Sequence, residues 1–337
     1  MKLALYGVLP LLFIKFRIAN LLHLRHLFIF LLILPMPLWA WTRKLEFPQK
    51  EDTIETIHRS ILDLIKTEKG TFFLPEEQKY LIFRDPNIKI SPKSNLQFTD
   101  SSRIPLISAN RESSWTAFEQ YNDHLLLLDG ATMSMSYLSQ DLKETISMHT
   151  LVFDLIKPPR DSRGEAAPFE TKELRSKFLK SLHRTKSPKL VGLKRAPKLD
   201  TTTKFRFFAS TRIQDYPLIT IECSKDSPSQ CALDRACFVE DMPSIDSNSL
   251  SGLAYDPENK FLLLVDINKH RVLVLHFQSC FHTVYIGQIT LPEKIKQIIG
   301  VALDEEQNLY ILSRFIDDYY NASVYRFNKS RWLPEKL

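Results

Sequence analysis

Glycine is scarce in this chain, with eight in 337 residues. No GxGxxG or Walker-type loop is present, and GxSxG and HExxH are absent as well, so the strong signatures of dinucleotide, nucleotide, serine-hydrolase and zinc-protease chemistry are missing. No apolar run reaches the ~20 residues of a spanning helix. The two longest, Leu3 to Ile14 and Leu27 to Trp41, fall short, which argues against a multi-span membrane protein. Cysteine is limited to four positions whose spacing matches no paired CxxC zinc pattern. What is present is an ordinary globular composition, 44% hydrophobic and 25% charged, which excludes disorder and collagen and supports a sizeable core.

The first forty residues read as an address. Basic residues Lys15, Arg17 and Arg25 precede an apolar region Leu27 to Leu34, followed by Pro35, Pro37 and the small Ala40. This is the layout of a secretory signal, with a cut expected between Ala40 and Trp41. Leu38 is bulkier than the residue preferred there, so an N-terminal membrane anchor is the alternative. Without residues 1–40 the formal charge of +6 shrinks, because that segment holds four Lys and Arg and no acid. Much of the remaining basic charge sits between Lys157 and Lys198, where 13 Lys and Arg face four acids. So uneven a balance argues against a nucleic-acid-binding body. In an exported chain Cys223, Cys231, Cys237 and Cys280 are disulfide candidates, with three possible connectivities.

A self-comparison shows a recurring unit. Gly252 to Phe277 reads as a three-strand meander: a short apolar strand, a turn at Pro257 to Lys260, a strand Phe261 to Val265, a polar turn, and an alternating strand Arg271 to Phe277. Similar stretches anchor at Phe73, Ala117, Ala209, Ala254 and Ala302. Their spacings are 44, 92, 45 and 48, the long one being double the others, so one copy near residue 163 is missing or remodelled. Six units of about 46 residues, each completed by a fourth strand such as Thr283 to Thr290 or Leu142 to Thr150, predict an all-β, six-bladed β-propeller, with five to seven blades allowed. A β-sandwich or a mixed α+β fold is the alternative.

Two segments stand outside the repeat. Residues 41–70 read as a linker and an amphipathic helix: Asp52 and Glu55 form a capping box, Ile54, Ile57, Ile61, Leu64 and Ile65 share a face, and Gly70 closes it. The propeller then occupies 71–337, with 157–198 as a basic insertion containing a short helix. That insertion is a candidate docking surface for an acidic partner or an anionic membrane surface.

Gly252, Ala254, Asp256, Asp266, Asn268, Arg271 and Val272 carry a family resemblance, since this stretch looks like an NHL repeat. The resemblance implies a six-bladed propeller, often a binding module, with relatives that include lactone and ester hydrolases.

In such a blade the loops before the first strand and after the second open on one face. They place Arg111, Glu112, Trp115, Asp129, Asn268 and Arg314 as ligand-face candidates. His270 beside Asp266 is the candidate acid/base pair, because a carboxylate fixes the imidazole tautomer and raises its pKa. The competing reading is that Asp266 and Asn268 satisfy turn amides. Carboxylates do not converge as a metal site requires, so neither a metal nor a cofactor is expected. The function expected is an exported binding or scaffolding module for a protein, peptide or glycan, with a lactonase- or esterase-type hydrolase as the alternative.

Overall fold

The computed structural model describes residues 41–46, 55–57, 61–67, 70–75, 80–84, 103–105, 115–122, 124–131, 134–138, 145–150, 190–212, 216–226, 231–295, 297–314 and 322–333. The leader 1–40, the loop with Arg111 and Glu112, and residues 157–189 of the basic insertion lie outside them. Residues 42–337 form one compact unit.

Five sheets make up that unit among the described residues, antiparallel in each four-stranded blade. Blade 1 consists of β3 (Ile61–Thr67), β4 (Gly70–Pro75), β5 (Tyr80–Arg84) and β6 (Arg103–Pro105). Blade 2 holds β7 (Trp115–Tyr121), β8 (His124–Asp129), β9 (Ser134–Leu138) and β10 (Thr145–Thr150). Blade 3 holds β11 (Leu190–Arg195), β12 (Lys204–Thr211), β13 (Leu218–Ser224) and β14 (Cys231–Cys237). Blade 4 is β16 (Leu250–Asp256), β17 (Phe261–Asp266), β18 (Arg271–Ser279) and β19 (His282–Thr290), with β1 (Trp41–Lys44) and β15 (Val239–Glu240) added on β19. Blade 5 takes β20 (Ile298–Leu303), β21 (Leu309–Arg314) and β22 (Ala322–Phe327) from the C-terminal end and β2 (Glu55–Ile57) from the N-terminal end. That borrowed strand, paired Glu55↔Val324 to Ile57↔Ala322, ties the two ends of the chain into one blade.

The innermost strands β3, β7, β11, β16 and β20 pack in that cyclic order, with β20 returning to β3. Among the described residues this closed ring is a β-propeller with five blades, within the five to seven that the sequence allows. Between Ala117 and Ala209, where the spacing doubles, the inner strands β7 and β11 pack directly on each other. At that seam the Thr116 hydroxyl donates to Leu190 O at 2.7 Å, which leaves no room for an interposed sheet. Two of the five repeat anchors were also out of phase: Phe73 and Ala209 lie on second strands, whereas Ala117, Ala254 and Ala302 lie on first strands. The expected helix over 52–70 is absent from the described residues there, which are β2, β3 and the start of β4. The propeller therefore starts ahead of residue 71, and the insertion ends before 198, since Leu190–Arg195 is the inner strand of blade 3. The meander read at 252–277 and the fourth strands at 283–290 and 145–150 are present.

Apolar residues from facing blades fill the seams. Phe72, Leu74 and Leu81 of blade 1 meet Trp115, Phe118 and Leu127 of blade 2, and Leu126, Leu128 and Met135 meet Phe205, Phe207 and Ile219 of blade 3. Burying both faces of each sheet explains the near-continuous apolar runs such as Leu262 to Leu264. Two disulfides add covalent ties. Cys223 and Cys231 are directly opposed in β13 and β14, and Cys237 at the end of blade 3 joins Cys280 in the β18–β19 turn of blade 4. Paired cysteines indicate an oxidising, exported environment.

The chain ends are held together. Arg43 donates from Nε to Arg331 O at 2.6 Å and from a terminal guanidinium nitrogen to Ser330 O at 2.7 Å, gripping the short helix α1 (Lys329–Trp332). Buried Trp332 in turn donates from its indole nitrogen to Gln307 O at 2.7 Å. Arg43→Ala is expected to cost about 1–3 kcal/mol, the loss of charge-assisted hydrogen bonds to two carbonyls. Melting and tryptophan fluorescence check this: Trp332 emission should become more solvent-exposed before global unfolding.

Candidate functional site

The innermost strands share a local irregularity that shapes the throat of the ring. Each has a β-bulge near its start, where pairing jumps between Ile61 and Asp63, Trp115 and Ala117, Leu190 and Gly192, Ser251 and Leu253, and Ile298 and Gly300. A bulge bends and twists the strand and re-aims the side chains beyond it. The third residues of these strands are Asp63, Ala117, Gly192, Gly252 and Gly300. Their smallness has a steric cause: a Cβ on Gly192 would lie 2.9 Å from Gly252 C, and one on Gly252, whose φ is +59°, would lie 3.0 Å from Gly300 Cα. The backbones of blades 3, 4 and 5 thus touch at the throat.

Blade 1 breaks this pattern with a carboxylate. Asp63 Oδ1 accepts the Leu64 amide at 2.9 Å and Oδ2 accepts the Phe118 amide of blade 2 at 3.1 Å. Burial pushes its pKa up to about 7; Lys194 and the two amides act against that shift, and Glu119 adds to it. One step further along the inner strands, Lys194 of blade 3 lies 3.1 Å from Glu119 of blade 2. Glu119 also accepts the Gln120 amide at 2.9 Å. Three ionisable groups from three successive blades therefore gather by the throat.

Around them, at the end of the ring where inner strands finish, lies a half-buried rim of tyrosine and cationic side chains. Arg195 pairs with Asp200, donates to Arg206 O at 2.8 Å, and stands 5.1 Å over the Tyr121 ring, which stacks on Phe205 at 3.8 Å. Lys66 of blade 1 lies 4.6 Å over Tyr310 of blade 5. Tyr255 of blade 4 packs edge-on against Phe208 of blade 3, 5.0 Å between centroids. Each blade contributes one member.

The residues singled out from the sequence are placed differently. Asp266 is fully buried and accepts Ser249 Oγ at 2.9 Å, the Lys269 amide at 3.3 Å and Arg271 Nε at 3.0 Å. His270 occupies a left-handed turn position with φ 52°, its amide donating to Ile267 O at 3.2 Å; among the described residues no hydrogen bond joins it to Asp266. The geometry thus favours the turn-satisfying role of Asp266. Asn268 is exposed, with a long 3.4 Å contact to Asp246. Trp115 and Asp129 were expected on a ligand face and are instead buried, Asp129 accepting the Ala131 amide at 2.9 Å. They open the first strand and close the second at a seam, where the neighbouring blade covers them. Arg314 is half-buried, its amide bonded to Gln297 O at 2.9 Å.

Asp63, Glu119 and Lys194 escaped the sequence reading. The available signal was an acid inside the apolar run Leu62 to Ile65, which a helical reading assigns to a solvated face.

No protein-family model and no curated protein matches the chain. Solved structures do. Glutaminyl cyclase from Myxococcus xanthus is similar over 85% of this chain and 97% of its own, with 9% identity and a TM-score of 0.50. The β-propeller domain of Cps50 (Swd1) from Myceliophteria thermophila covers 78% of this chain and 68% of its own, at 11% identity and a TM-score of 0.38. A chain of a nidogen–laminin complex covers 75% of this chain and 72% of its own, at 11% identity and 0.40. At such identities the likeness concerns the fold alone, and that fold is the β-propeller.

Proposed function

We propose that the chain is a periplasmic or extracellular binding or scaffolding module for a protein, peptide or glycan ligand, with residues 1–40 as signal peptide or membrane anchor. The observation that supports this most is the rim of Lys66, Tyr121, Arg195, Tyr255 and Tyr310, one per blade, set on strand ends around a pinched throat. Tyrosine and arginine offer large contact area at little entropic cost and dominate the energetics of interfaces. Their placement on rigid strands preorganises them. A throat narrowed by touching backbones favours a broad contact patch over a deep pocket. The basic stretch ahead of β11, residues 157–189, is offered as a second surface, suited to an acidic partner or anionic lipid headgroups. The NHL-type reading rests on Gly252 to Val272, where Asp256 accepts the Glu258 amide at 2.9 Å and Asp266 closes its strand.

The competing function is hydrolysis of a lactone or ester by His270 with Asp266, and one paired experiment separates the two. The purified protein is applied to peptide and glycan arrays and, in parallel, to a panel of lactones and esters. Saturable binding, weakened at least tenfold in the double variant Lys66→Glu, Tyr255→Ala, is the expected result, with no turnover above buffer. Turnover that disappears in His270→Ala, without saturable binding, would overturn the binding reading.

A further inference from the structure

At the third position of the inner strands, four of the five carry glycine or alanine, and blade 1 carries an ionisable group, Asp63. The Asp63 carboxyl is shared between an amide of its own strand, Leu64, and that of Phe118 across the seam. It therefore bridges blades 1 and 2 across their seam. The ionisable groups that face it are few. Glu119 approaches from β7 and Lys194 from β11. On the opposite side β20, Ile298–Leu303, carries none, nor does the adjacent β4, Gly70–Pro75. On its own strand Lys66 is turned to Thr71 and Tyr310.

We propose that Asp63 is a proton-operated latch: protonated, it keeps the seam between blades 1 and 2 closed, and ionised, it lets that seam open more often. The physical cause is the unfavourable burial of a carboxylate compensated only by two amides and a lysine already paired with Glu119. With the seam closed the carboxyl keeps its proton up to about pH 7, whereas an exposed carboxyl releases it near the ordinary value of 3.8. Between those limits the closed seam binds more protons than the open one. Opening therefore increases as pH rises, by up to about tenfold per pH unit, and levels off above about pH 7. An exported protein meets changes of this size in its surroundings.

The test is residue-resolved hydrogen exchange of the purified protein from pH 5 to 8.5, read at the Phe118 amide relative to its intrinsic rate. Opening is expected to rise roughly a hundredfold from pH 5 to 7 and little beyond, and to be flat with pH in Asp63→Asn. Glu119→Gln removes a like charge and should end the rise at lower pH; Lys194→Met removes the favourable cation and should end it at higher pH. A wild-type rise that persists in Asp63→Asn would overturn the latch. If Asp63→Asn fails to fold, the opposed shifts of the other two variants decide, and an end point unmoved in both contradicts the proposal.

Discussion

Alanine at Gly130 or Gly192 is expected to destabilise the propeller by about 3 kcal/mol or more each, the upper range for overpacking. A Cβ on Gly130 would lie 1.9 Å from Leu190 O, a backbone atom of the next blade. On Gly192 it would lie 2.5 Å from Ser210 Oγ and 2.7 Å from Leu253 Cβ, wedged between blades 3 and 4. Neither seam can give without shifting a whole inner strand. Gly300→Ala is the internal control, because its Cβ meets only the Leu312 side chain, at 3.4 Å and beyond. That variant should stay within about 1 kcal/mol of wild type. Urea melts of the three variants check the ordering, and equal losses at all three positions would contradict the close approach of the inner strands.

Removing the Cys237–Cys280 bridge, as the double serine variant, should cost about 4 kcal/mol, against about 2.5 kcal/mol for Cys223–Cys231. The difference follows from loop length: the first closes a separation of 43 residues and the second only 8. The longer bridge also joins two blades, beside the parallel pairing of β15 with β19 and the 3.3 Å hydrogen bond from the Phe238 amide to Cys280 O. The shorter one staples a hairpin already fixed by its ladder. Melting under non-reducing conditions should therefore fall further for the inter-blade pair. The reverse order would imply that blades 3 and 4 are held almost wholly by their apolar seam.

Blade 4 was legible from sequence because its turns speak plainly. Pro257 to Lys260 and Asp266 to Lys269 bracket the continuous apolar strand Phe261 to Val265, and Asp256 binds the Glu258 and Asn259 amides as an Asx turn should. β3 was not legible, and the bulge is the reason. By skipping Leu62 in the ladder it puts Ile61 and Leu64 in one core cluster and Ile65 in the next, so a strand acquires the three-residue spacing of a helix. Blade number stayed between five and seven for a related reason, since periodic spacing cannot tell a remodelled blade from a long connection. The ionisable cluster by the throat lay beyond a one-dimensional reading, because Asp63, Glu119 and Lys194 come from three blades. Cysteine pairing needed the register that sets Cys223 opposite Cys231.

The central claim is a ring of five blades closed by β20 on β3. An electron-density map of the chain from residue 41 onward tests it most directly. The account predicts five sheets, β2 completing blade 5, β7 packed against β11, and the Asp63 carboxyl between the amides of Leu64 and Phe118. A sixth sheet inserted between β7 and β11, built from residues 151–189, or a gap between β20 and β3, would contradict it.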